Sequence, residues 1–158
     1  MNVLNNTINR MEQLIREVPE RIRKINKSEF ESKPQPEKWS KKEILGHLCD
    51  SAVNNLSRFI RAQFEPRPFA ILRYAQDDWV RCNKYQEKET EDLLALWVTL
   101  NHHIAYVVSK IPEERLSVVC DLGDAAFRDG DVEKNLLWLI EDYVVHMEYH
   151  LKQIIGKL

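Results

Sequence analysis

The chain has 158 residues, of which 44% are hydrophobic and 30% charged, with a formal net charge of −2. That is enough to bury a core as one domain over 1–158, and so even a charge balance gives no reason to expect a nucleic-acid partner. No stretch approaches the roughly 18 uninterrupted apolar residues of a membrane span, the N-terminus lacks a signal-peptide pattern, and Cys49, Cys82 and Cys120 form neither a disulfide framework nor a Cys-x-x-Cys pair, so a cytoplasmic protein with reduced thiols is expected.

Four glycines in the whole chain, and few hairpin-type dipeptides, favour helices over a sheet. The first predicted helix covers 2–26, where Leu4, Ile8, Met11, Leu14, Ile15, Val18, Ile22 and Ile25 recur at threes and fours. Pro19 interrupts that stripe and predicts a kink or a break into two shorter helices. A loop carrying Pro34 and Pro36 follows. The second helix announces its own start. Ser40 and Glu43 have the spacing of a capping box, and Trp39 and Ile44 that of a hydrophobic staple. Its apolar arc is Leu45, Leu48, Ala52, Leu56, Phe59 and Ile60, and it is expected to end near Glu65, before Pro66 and Pro68.

Residues 65–89 are the longest connection, long enough to cross the end of a bundle, so that consecutive helices need not be antiparallel neighbours. Thr90 is the expected N-cap of a third helix whose inward face is Leu93, Leu96, Trp97, Leu100, Ile104, Val107 and Ile111, ending at Pro112. After a loop with Gly123 and Gly130, a fourth helix is predicted from about Asp131 nearly to the C-terminus. The longest competing strand pattern is Leu116–Val119, so the expected fold is all-α, a four-helix bundle with a long connection between helices two and three.

Helix four carries the chemistry. His146 and His150 are four residues apart, so both imidazoles share one face, at the edge of the apolar line through Leu136, Leu139 and Tyr143. His47 sits at the corresponding edge of helix two. Three converging imidazoles suit a divalent metal ion, with zinc or nickel foremost and iron, cobalt or manganese also within range, and they leave a coordination position open. The spacing departs from that of His-Glu-x-x-His proteases, because Glu148 lies two residues beyond His146 and points away. The competing reading is a hydrogen-bonded pair of boundary histidines with His47 unrelated to it. Around His47, helix two offers Asp50, Ser51, Asn54 and Arg58. Asp50 is placed either to orient an imidazole or simply to be solvated, and Arg58 either to receive an anionic group of a substrate or to stay at the surface. His103 is expected beside the core, within reach of an extra ligand position, and Cys49 is expected to pack.

The segments Trp39-Ser40-x-x-Glu43-Ile44-Leu45-Gly46-His47-Leu48-x-Asp50-Ser51 and His146-x-x-x-His150-x-x-Gln153-Ile154 resemble the two signature segments of the DinB/YfiT-like superfamily, and the run Tyr74-x-Gln76-Asp77-x-Trp79-Val80 is similar to some of its members. The resemblance implies a four-helix bundle whose metal is bound by one histidine of the second helix and two of the last, matching His47, His146 and His150. Many relatives carry a histidine just before the last ligand; Tyr149 stands there and is expected to stay clear of the triad. The resemblance further implies an enzyme that activates water, for hydrolysis, or a low-molecular-weight thiol, for transfer, on a small-molecule substrate. The alternatives are a non-catalytic metal-binding bundle and a metal-free interaction bundle. Trp138, Val145 and Tyr149 form an apolar strip on the polar side of helix four, which predicts either a homodimer or cover by the 65–89 connection.

Overall fold

The structure, a computed structural model, describes residues 3–123 and 131–158. Four long helices dominate the described residues: α1 (Val3–Arg23), α3 (Lys41–Arg61), α5 (Thr90–Ser109) and α6 (Leu136–Ile155). Two short helices, α2 (Lys27–Glu31) and α4 (Gln76–Asn83), lie between them, with single 3-10 turns at Tyr85–Glu87 and Glu113–Arg115. The all-α expectation holds. No helix among the described residues is long and apolar enough to cross a membrane.

The order of the helices around the core sets the site. Helix α1 packs on α5 and α6, and α3 packs on the same two helices. Consecutive long helices α1 and α3 are therefore diagonal to each other, and so are α5 and α6. A simple up-and-down bundle would make them neighbours. The diagonal pairs need long connections across the bundle end, and a small sheet ties the α5–α6 connection to the one between the neighbours α3 and α5. Strand β1 (Phe69–Ala70), after α3, pairs in parallel with β2 (Val119–Asp121), after α5. Strand β2 also pairs antiparallel with β3 (Glu133–Asn135), which feeds into α6.

Several local expectations are corrected. The start of helix one at Asn2 and the turn at Gly130 lie outside the described residues. Pro19 does not divide α1, which runs on to Arg23; Pro19 is buried between Val18 and Ile22 on the stripe, and that burial holds the helix together despite the missing N–H. The break comes at residues 24–26, where Asn26 caps the short α2 by accepting from the Glu29 N–H at 2.8 Å. Helix α6 starts at Leu136 rather than near Asp131, because Glu133–Asn135 pair with β2 first. Thr90 is the first helical residue of α5, and Glu89, in the cap position, makes no side-chain bond.

The face of α5 is also turned from the expected one. Leu93, Leu94, Trp97, Asn101, Ile104, Ala105 and Val108 are buried, while Leu96 is exposed and Leu100 and Val107 are half-buried. Asn101 explains the rotation. It gives a hydrogen bond to the Trp97 carbonyl at 2.8 Å and accepts one from the Tyr143 hydroxyl of α6 at 2.6 Å. A polar residue with its bonding satisfied is cheap to bury, so an apolar-only pattern places this face incorrectly.

Helix α3 starts as its sequence signals, but it ends at Arg61 rather than near Glu65, and Ile60 of its expected apolar arc is exposed. The Ser40 hydroxyl accepts from the Glu43 N–H at 3.0 Å, and the Glu43 carboxylate accepts from the Ser40 N–H at 2.9 Å. Trp39 and Ile44 pack against the core as a staple requires. The same cap is pinned from outside, since Ser40 Oγ bonds Gln86 Oε1 at 3.0 Å and buried Lys42 reaches Glu31 Oε1 at 2.9 Å.

Candidate metal centre

The facing edges of α3 and α6 bring His47, His146 and His150 together, with one nitrogen from each ring lying within 4.8 Å of the others. The Nε2 atoms of His47 and His146 are 3.4 Å apart. An ion that takes imidazole nitrogens at about 2.0–2.1 Å holds a tetrahedral pair of them roughly 3.3–3.4 Å apart, so this spacing suits a shared ion. The rings meet edge-on, with centroids at 5.3 Å for His47 and His146, 4.8 Å for His47 and His150, and 4.6 Å for His146 and His150. His103 does not join them. It is exposed on α5 and stacks on Tyr106 with centroids 6.5 Å apart.

Each ring has a different setting. His47 is 0% exposed, with the Trp39 ring 4.8 Å away. Burial, and then the proximity of His146 and His150, pushes its pKa down to about 3, so it is a neutral imidazole at any physiological pH. Its Nδ1 is buried without a hydrogen-bond partner. His150 is half-buried, and burial lowers its pKa as well. Its Nδ1 lies 3.0 Å from Gln153 Oε1, a contact that the Nδ1–H tautomer would satisfy by donating, with the Nε2 lone pair left for an ion. Gln153 is thus a partner of His150 that the sequence marked only through the segment resembling the superfamily. Tyr149, expected clear of the triad, touches it: its ring lies edge-on to His150 at 5.0 Å. Glu148 points away, as expected, and pairs with Arg10 of α1 at 2.5 Å.

Asp50 meets neither sequence expectation. It is buried, so it is not a solvated carboxylate, and its Oδ1 accepts from the Tyr85 hydroxyl at 2.5 Å and from Asn83 Nδ2 at 3.0 Å rather than from an imidazole. Burial outweighs the Tyr85 hydrogen bond and raises its pKa to about 6. Gly46 makes this possible, because a Cβ there would lie 2.1 Å from Cδ2 of the Tyr85 ring. Cys49 is buried, and its thiol pKa is pushed up by that burial, in keeping with a packing role.

Two cavities flank the triad. One, of about 430 Å³, has His146 in its wall with Ser51, Asn55, Arg58, Tyr74 and Tyr143. The other, of about 900 Å³, has His150 in its wall with Trp39, Ile44, Asp77 and Tyr149. Ser51 and Arg58 reach the first cavity, but Asn54 does not line it. Asn54 gives its amide to the Asp50 carbonyl at 2.9 Å, and Asn55 is the cavity residue. The error is one position, about 100° of helical rotation.

The DinB superfamily family model matches residues 10–154. The chain belongs to the DinB superfamily. Among solved structures, this DinB protein is similar to YfiT from Bacillus subtilis, at 17% sequence identity and a TM-score of 0.82, over 98% of this chain and 86% of that one. YfiT is described as a probable metal-dependent hydrolase with an unusual four-helix bundle topology. At that identity the likeness shows the fold. No curated protein matches the chain significantly.

Proposed function

We propose that this DinB domain is a divalent-metal-dependent enzyme, of hydrolase or thiol-transferase type, in which His47, His146 and His150 hold one ion. The observation that carries the reading is their convergence within 4.8 Å, with the buried member already neutral. Neutral imidazoles suit zinc and nickel first, then iron, cobalt or manganese. Once bound, such an ion supplies Lewis acidity that makes a water or a thiol nucleophilic near neutral pH.

The chain's own groups do the rest. Trp39 and burial fix the His47 ring, and Gln153 sets the tautomer of His150. The cavities on either side of the triad favour a catalytic over a purely structural ion, because a closed ligand shell needs no adjoining space. The description of YfiT supports the hydrolytic branch, and the second cavity has room for the second substrate of a transfer. Val145 and Tyr149, 42% and 62% exposed, support a homodimer as the working form, while Trp138, the third residue of the expected strip, is partly buried against the core.

Turnover assays on protein stripped with a chelator and reloaded with zinc, nickel or manganese test the reading. A panel of small esters and amides, and of thiols with an electrophilic acceptor, is expected to show turnover that needs the ion. Equal rates in stripped and reloaded protein across the panel would refute catalysis.

A further inference from the structure

We infer that the cavity against His146 is a subsite for a carboxylate-bearing small molecule, anchored by the Arg58 guanidinium. For the reacting end of the substrate the inference rests on the metal reading above; for the anion it stands on the cavity itself.

Residues 47, 51, 55 and 58 step by fours and threes down one face of α3, so the wall runs without interruption from the triad to Arg58. On the opposite wall, α6 supplies His146, Tyr143 and Leu139 at the same intervals. At 1.5 Å per residue the two ends of the groove are roughly 10–16 Å apart, depending on where the arginine side chain reaches. The cavity therefore suits an elongated molecule, with its reacting group at the histidines and its charge at the far end.

Arg58 is an incomplete ion pair. Its Nη2 gives a hydrogen bond to the Leu72 carbonyl at 2.6 Å, and its Nη1 one to Asn55 Oδ1 at 3.3 Å. Both acceptors are neutral, and among the described residues no carboxylate pairs with it. Burial lowers its pKa, opposed only by Tyr74. The other charged residues described in the lining are Arg73 and Asp142, one of each sign. Asn55 is itself held, because its amide bonds the Ser51 carbonyl at 2.9 Å, and it in turn fixes the guanidinium plane. A half-buried guanidinium, orientated in advance by neutral oxygens and with N–H donors left over, matches the two oxygens of a carboxylate.

The test is a titration of the full chain with succinate, followed by amide NMR and calorimetry, on zinc-loaded wild type, Arg58→Gln and Arg58→Lys, and on His150→Ala, which is expected to hold little or no zinc. Shifts are expected at residues 55, 58, 72–74 and 139. Affinity is expected to fall at least tenfold in Arg58→Gln at unchanged zinc content, to recover in part in Arg58→Lys, and to persist in His150→Ala. If Arg58→Gln does not fold, the location of the wild-type shifts decides alone. Shifts confined to the histidines, equal affinity in Arg58→Gln, or no saturable binding at millimolar succinate would each overturn the inference. Loss of binding in His150→Ala alone would assign the anion to the ion and overturn the Arg58 site while leaving the metal reading intact. Succinate bound at Arg58 in a chain that takes up no zinc would do the reverse.

Discussion

At the scale of single residues, the triad combines a ring that is fixed by burial with one that is fixed by a hydrogen bond. Gln153 orders His150, and removing such a partner typically costs 10–100-fold in metal affinity. Gln153→Ala is therefore expected to weaken metal binding by about that factor, read by competition with a chromogenic chelator, while leaving the helical circular dichroism unchanged. Two titrating groups act in opposite senses on the stability of the metal-free chain. His47 has a folded pKa of about 3, below the ordinary 6.5, so its contribution is complete above 6.5 and is lost as pH falls toward 3. Asp50 has a folded pKa of about 6, above the ordinary 3.8, so its contribution is complete below 3.8 and is lost as pH rises through 6. Between those limits acidification weakens the chain through His47 and strengthens it through Asp50. Asp50→Asn is expected to expose the first effect alone, with a steeper loss of stability from about pH 6 to pH 4 than in wild type, measured by urea unfolding in chelator. A slope unchanged by the substitution would remove Asp50 from the balance. These roles were only partly legible in sequence. The edge positions of His47, His146 and His150 follow from helical periodicity, whereas the ties of Asp50 to Asn83 and Tyr85 cross 33 and 35 residues that no local pattern connects.

At the scale of elements, legibility followed the strength of local chemistry. The α3 cap is written in four consecutive residues, Ser40 to Glu43, and forms as written. Ser40→Ala is expected to cost about 1–2 kcal/mol, since it removes a cap from a fully buried site that also holds Gln86. Gly46 is an element-scale feature as well. In an exposed helix an alanine there would help by about 1 kcal/mol, but here it meets the Tyr85 ring, so Gly46→Ala is expected to destabilise by roughly 1–3 kcal/mol. Both are read from urea midpoints at constant m-value; a stabilised Gly46→Ala would contradict the close approach. The inward face of α5 was misread because Asn101 counts as polar in any periodicity, yet becomes a core residue through its bond to Tyr143. The delayed start of α6 had a similar cause: Glu133–Asn135 are claimed by pairing with β2, a partner remote in sequence.

At the scale of the whole molecule, the number of long helices follows from apolar stripes, but their diagonal order does not. It is set by the α1–α3 and α5–α6 connections; β1 and β2 pair across some 50 residues of chain and tie the second of these to the 65–89 segment, which joins the neighbours α3 and α5. That segment places Tyr74 in the wall of one cavity and Asp77 in the wall of the other, which makes it a boundary of the site rather than a passive linker. Light scattering tests the assembly. The wild type is expected to be dimeric at micromolar concentration and Val145→Glu monomeric, and a monomeric wild type would withdraw the helix α6 surface. The apolar stripes on all four long helices also imply that the fold does not depend on a bound ion. The measurement that bears most directly on the site is therefore metal content by plasma mass spectrometry on wild type, His47→Ala, His146→Ala and His150→Ala, with a thermal melt of each. The expected result is about one divalent ion per wild-type chain, little or none in each variant, and a cooperative melt retained in His150→Ala. A wild type that takes up no divalent ion from a zinc- and nickel-supplemented buffer, or variants that hold as much as wild type, would contradict the metal centre.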